Sequence, residues 1–135
     1  METRSVWSSR LAAVLAASLT LFGAHAATPQ ELLAGYSAQA GAAASATRGE
    51  KFFALTHGRE WSCSSCHTAK PIGAGRHAST GKPIDALAPA ANPQRFSDAA
   101  KTEKWFRRNC NDVLGRECSA GEKADVLAWL SALKP

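Results

Sequence analysis

Apolar side chains recur at helical spacing in three stretches of the chain and fall out of any periodicity between them. Near the C-terminus Val126, Leu127, Leu130 and Leu133 line one face of a segment opened by Ser119-Ala120-Gly121-Glu122, a capping box, so the pattern predicts a last helix from that point. Before it, a helical pattern opens at Ser97 and runs through Trp105 and Phe106 to about Leu114, with Gly115 suited to the C-terminal turn. Thr28-Pro29-Gln30-Glu31 is a second capping box with Pro at the first helical position; Leu32, Leu33 and Tyr36 give the following helix a modest apolar face. Gly49 to His57 also reads as helical, offering Phe52, Phe53 and Leu55 for burial, with Gly41 and Gly49 marking a break or bend between the two pieces.

The middle is different. From Gly58 to Gln94 the chain is dominated by Gly, Pro, Ser and Thr, with Pro71, Pro83, Pro89 and Pro93 and no strand periodicity. A loop this long is foreign to a compact domain unless something other than a sheet organises it. The expected architecture is all-α, with helices and Gly/Pro-rich loops wrapped around a non-protein core.

The N-terminus carries an address. Arg4 and Arg10 precede an apolar run from Leu11 to Ala24, and Ala24-His25-Ala26 has the small-x-small form of a secretory cleavage site. The run is shorter than the roughly 18 to 20 apolar residues of a spanning helix. The expectation is export to the periplasm, removal of residues 1–26, and a single domain over 27–135 with no membrane span. A mature chain of that size has a thin side-chain core, so a cofactor or crosslink adds much to its stability. The chain has a formal net charge of +5. Without clustered cations and interleaved aromatics, it gives no sign of nucleic-acid binding.

Cys63-Ser64-Ser65-Cys66-His67 supplies the missing core. C-x-x-C-H is the attachment signature of a c-type haem: two thiols spaced for the two vinyl groups, then a His that ligates the iron. A thioredoxin-like site requires a βαβ context, a zinc site a fourth ligand such as His57 or His77, and a 63–66 disulfide is the plainest alternative. The sixth iron position cannot be a thioether, because the single Met is Met1. His57, His77, a Lys, Asn109 or no residue remain. The two other thiols, Cys110 and Cys118, form a disulfide in an oxidising compartment, with free thiols or an intermolecular bridge as alternatives. Eight residues of straight helix rise about 12 Å, beyond the roughly 7 Å a disulfide tolerates between Cα atoms. The chain must therefore reverse between them, and Gly115 is the natural place.

Taken together, LLAGY, RGEKFF, SCSSCHTA, TGKPIDALAPAANPQRFSD, EKWFRRNCNDVLGREC and GEKADVLAWL resemble the SHP cytochromes, named for the sphaeroides haem protein and similar to class I cytochromes c. The Asn-Cys pair with a Cys eight residues after the first is the specific part. The resemblance implies one covalent haem c on Cys63 and Cys66, His67 as proximal ligand, Asn109 as sixth ligand in the ferric state, and a Cys110–Cys118 disulfide beside it. It further implies release of Asn109 on reduction, binding of O2, NO or CO by the ferrous form, and electron exchange with a dihaem cytochrome c or a membrane b-type cytochrome. One-electron transfer is the minimum function, and reaction of bound O2 with NO would extend it to enzyme chemistry. A bis-His electron shuttle using His57 or His77, and a gas sensor or store, are the alternatives.

Overall fold

A computed structural model describes residues 26–135, and five α-helices and one short strand pair make up its regular structure. The predicted signal segment lies, except for Ala26, outside the described residues. Helix α1 (Pro29–Ala40) is capped by Thr28, whose Oγ1 accepts the Glu31 N–H while Glu31 accepts the Thr28 N–H at 2.8 Å, and it ends at Gly41 in the left-handed conformation. Helix α2 (Ala46–Ala54) starts earlier than the apolar pattern suggested and stops before His57.

The shift in α2 has a tertiary cause. Gly49 is a contact point inside the helix: a Cβ there would overlap the Asp125 carbonyl of α5 (Ala120–Ala132). Asp125, buried, accepts the Ser45 N–H at 2.6 Å and is gripped by Arg48 Nε and Nη2 at 2.7 and 2.8 Å, so α5 dictates where α2 begins. Because α2 ends at Ala54, Leu55 falls outside it and is 59% exposed, contrary to the burial expected for it.

Helix α5 is buried on more than the single face expected. Ala124, Asp125 and Trp129 are enclosed along with Val126, Leu127 and Leu130, because α1 and α2 both pack on it. Phe53, Val126, Trp129 and Leu130 form one apolar cluster, and Tyr36, Ala124 and Leu127 a second; Phe96 and Phe106 pack against both. Helix α4 (Ala99–Leu114) is capped by Asp98, which accepts the Lys101 N–H at 2.8 Å, and closes on Gly115 (φ 73°) as its sequence indicated.

The Gly/Pro-rich middle holds one turn of helix, α3 (Cys63–His67), and an antiparallel pair, β1 (Gly75–Arg76) with β2 (Pro83–Ile84). These strands correct the expectation of none. Each is two residues long and depends on the turn between them, where the His77 N–H reaches the Lys82 carbonyl and Gly81 adopts φ 70°. Hydrophobic alternation has nothing to report over so short a span.

Candidate haem site

The one-turn helix α3 forms because Ser62, buried, caps it: its hydroxyl accepts the Ser65 N–H, and Ser65 Oγ accepts the Ser62 N–H at 3.0 Å. One helical turn brings Cys63, Cys66 and His67 together at its two ends. Both thiols are free, so the 63–66 disulfide does not form. Desolvation pushes the Cys63 thiol up to about 11, which keeps it protonated. The His67 imidazole is pushed down to about 4, by desolvation first and by the Arg95 guanidinium second, which keeps it neutral and its lone pair available for a metal. No described residue hydrogen-bonds its ring; Phe53 lies beside it at 6.2 Å between ring centroids.

Two features of the loop hold this turn in place. Gly75 sits so close that a Cβ would overlap the Cys66 carbonyl, and the Ala78 N–H donates to Cys66 Sγ at 3.3 Å. Below it Pro71, fully buried, accepts the N–H groups of Leu87 and Ala88, each at 3.0 Å. Arg95 fastens the same loop by donating to the carbonyls of Ala86 and Asp85 at 2.9 and 2.8 Å.

The histidines that competed for the sixth position are occupied locally. His57 has φ 53°, donates from Nε2 to the Phe52 carbonyl at 2.8 Å and meets the Phe52 ring at a tilt, 4.4 Å between centroids. At His77, Nδ1 accepts the Thr80 N–H at 3.3 Å and meets the Ser79 hydroxyl at 3.2 Å. Among the described residues no group of three or more His, Cys, Asp and Glu side chains is arranged to hold a metal ion, so the zinc alternative finds no fourth ligand.

Asn109 lies near the C-terminal end of α4, exposed and without a hydrogen-bond partner among the described residues. Two positions on, Asn111 donates to the Arg107 carbonyl at 2.8 Å and is thereby tied to its own helix. Thr102, Phe106, Cys110 and Val113 turn α4 inward, and Trp105, Asn109 and Asp112 form the adjoining stripe. Asp112 lines a groove of about 330 Å³ with Gly58, Arg59, Glu60 and Trp61, the segment that leads into Cys63. Asp112, three positions past Asn109, is the one α4 residue that lines this groove. Cys110 and Cys118 are bonded, with Cα atoms 5.5 Å apart, and the chain reverses through Gly115 between them.

The donor set fits a covalent c-type haem: two free thiols and a neutral, unengaged imidazole in one turn, with Cys63 packed against the same apolar cluster as half-buried Leu87, Phe96 and Phe106. Arg95 and Gly75 belong to this region by folding alone, and nothing in their local sequence marks them.

Comparison with known proteins agrees. Residues 39–130 match the family model DUF1924, a domain of unknown function. The chain is 52% identical over 109 residues to the cytochrome c-type protein SHP of Cereibacter sphaeroides, covering 78% of this chain and 84% of that protein. It is 46% identical over 78 residues to cytochrome c'' of Methylophilus methylotrophus, covering 58% of this chain and 54% of that one. The structure of oxidised SHP, described as an oxygen-binding cytochrome c, superposes with a TM-score of 0.75 at 50% identity, over 80% of this chain and 99% of that one. The crystal structure of oxidised cytochrome c'' superposes with a TM-score of 0.68 at 38% identity, over 79% and 95%.

Proposed function

Because this chain belongs to the SHP family of helical c-type cytochromes, we propose that it is an exported, periplasmic monohaem cytochrome whose iron is held by His67 and, when ferric, by Asn109. A bound haem supplies a one-electron couple and, in its ferrous form, a place for O2, NO or CO. Cys63 and Cys66 would hold it through thioether bonds, and Phe53, 6.2 Å from the His67 ring between centroids, would shield that side from water. His67 remains neutral well below physiological pH and donates its ring nitrogen without first losing a proton.

Asn109 is the regulated part. Its amide oxygen is a hard, neutral and weak donor, better matched to ferric than to the softer ferrous ion, so reduction favours its departure. The Cys110–Cys118 crosslink holds this end of α4 to the start of α5, which limits the movement and lets the side chain return on oxidation. Redox state then gates the binding of a diatomic ligand. Electron exchange with a partner cytochrome, dihaem or membrane b-type, completes the reading. Reaction of bound O2 with NO would be an extension of the same site.

The observation that carries the Asn109 assignment is that its exposed side chain has no hydrogen-bond partner among the described residues, one position from the Cys110–Cys118 bond, while His57 and His77 are locally bonded. The test is a set of ferric and ferrous absorption spectra, with and without CO, on wild type and Asn109→Ala. Wild type should shift its ferrous Soret band promptly with CO. Asn109→Ala should open ferric iron to added azide and leave ferrous CO binding intact. A ferric spectrum unchanged by the substitution would remove Asn109 from the iron and favour the bis-His shuttle.

A further inference from the structure

The outer face of α4 carries an unbalanced charge. Lys101, Lys104, Trp105 and Arg108 follow the spacing that brings helical side chains onto one stripe. None of the three cations has an acidic partner among the described residues. Two other charges on α4 are matched, Arg107 with Glu117 at 3.4 Å and Glu103 with the Lys123 ammonium at 2.7 Å, and Asp112 is the one unpaired acid against these three cations. Trp105 is 43% exposed, one of two large apolar side chains so exposed among the described residues, and Arg108 lies over its ring at 5.7 Å.

We propose that this face, centred on Trp105, is the docking surface for an acidic electron-carrier protein. Unpaired cations steer an anionic surface into encounter, and a rigid aromatic with an apolar body supplies the desolvated centre that small interfaces depend on. A patch of this size suits the brief contacts of electron carriers, which bury less than about 1,200 Å². Its position deepens the reading above and rests on it in one respect: Trp105 stands one helical turn from Asn109, so a docked partner would lie next to the iron's distal ligand. An anionic membrane is the poorer fit, because a helix lying in a lipid interface needs an apolar face, and here a single indole is set among cations.

Flavodoxin, an acidic one-electron carrier, serves as the probe, added to the haem-loaded protein at low ionic strength. Binding is read from the Trp105 indole N–H resonance, assigned by its loss in Trp105→Phe, and from an affinity titration. The triple variant Lys101→Glu/Lys104→Glu/Arg108→Glu should weaken binding by about tenfold or more, as should Trp105→Ala, with the charge effect vanishing as salt rises. Reversal of Lys70, Lys82 and Lys134 makes the same change in net charge elsewhere and should alter affinity less than about threefold. Equal losses in the two triple variants would overturn the proposal, as would an unperturbed Trp105 resonance. Sedimentation with phosphatidylglycerol vesicles, abolished by the first triple variant, would assign the face to lipid instead. The haem reading fails separately. Flavodoxin hydroquinone gives one electron to ferric iron and becomes the semiquinone, so binding at Trp105 without any reduction would overturn the haem reading and leave the docking face standing.

Discussion

His67 and Asn109, the two residues read as iron ligands, sit in opposite mechanical settings. His67 ends a single helical turn that is capped at Ser62, pressed by Gly75 and carried on a loop fastened by Pro71 and Arg95. Asn109 projects from a sixteen-residue helix, and among the described residues no bond holds its amide. One side of the site is over-determined and the other is fixed only through its backbone, one residue from a disulfide. A ligand that must remain through a redox cycle is served by the first arrangement. A ligand that must leave and return is served by the second, since only a side chain has to move.

The contrast breaks most severely at Gly75. Gly75→Val places side-chain atoms against the Cys66 and His67 backbone, where no flexible neighbour can yield, and should destabilise the protein by about 3 kcal/mol. Denaturant unfolding measures the loss, and a changed ferrous spectrum would show the proximal turn displaced. The next largest effect is on the distal side. Removing the crosslink with Cys110→Ser/Cys118→Ser frees a short loop and should cost about 2.5 kcal/mol by the chain-entropy relation. It should also slow return of the ferric spectrum after reoxidation. A double variant with wild-type recovery would separate the disulfide from ligand return.

A smaller effect tests what else holds that turn. Arg116 donates to both Glu122 oxygens at 2.8 and 2.7 Å, and Glu122 also accepts the Ser119 N–H at 2.7 Å. The Arg116 guanidinium foremost, with Ser119, holds the Glu122 carboxyl below its usual range while partial burial opposes. A carboxyl depressed by folding stabilises the protein above its unfolded value of about 4.3 and loses that contribution as pH falls through the folded one. Thermal unfolding from about pH 6 to pH 3 should therefore decline less steeply in Glu122→Gln than in wild type. An identical slope would mean that the carboxylate contributes nothing to the turn.

Much of this was legible in sequence, for reasons that differ by region. The attachment motif, the caps at Thr28 and Ser119 and the reversal at Gly115 are local, and their chemistry is complete within a few residues. The start of α2 was not legible, because Asp125 sets it from 77 positions away through Arg48. Nor were Gly75 and Arg95, whose roles come from contacts with α3 and with the 85–86 backbone. Asn109 is a mixed case. Family resemblance points to it, whereas its residue type and its place within a helix alone describe an ordinary solvent-facing side chain.

The smallest expected effect bears most directly on that residue. In ferrous protein Asn109→Ala deletes an exposed amide with no hydrogen bond and substitutes the best helix former, so the free energy of unfolding should change by no more than about 0.5 kcal/mol, in the stabilising direction. If Asn109 ligates ferric iron as proposed, the same substitution in ferric protein also removes that bond, and the variant should be less stable than wild type. Anaerobic denaturant titrations of both oxidation states yield the difference, in which propensity and packing cancel. A free distal ligand requires that difference to be large beside the ferrous change. Should Asn109→Ala instead lose about 2 kcal/mol equally in both states, as for a buried polar group deprived of its partners, the side chain would be a structural anchor, and the mechanical asymmetry between the two sides of the site would not underlie the redox gate.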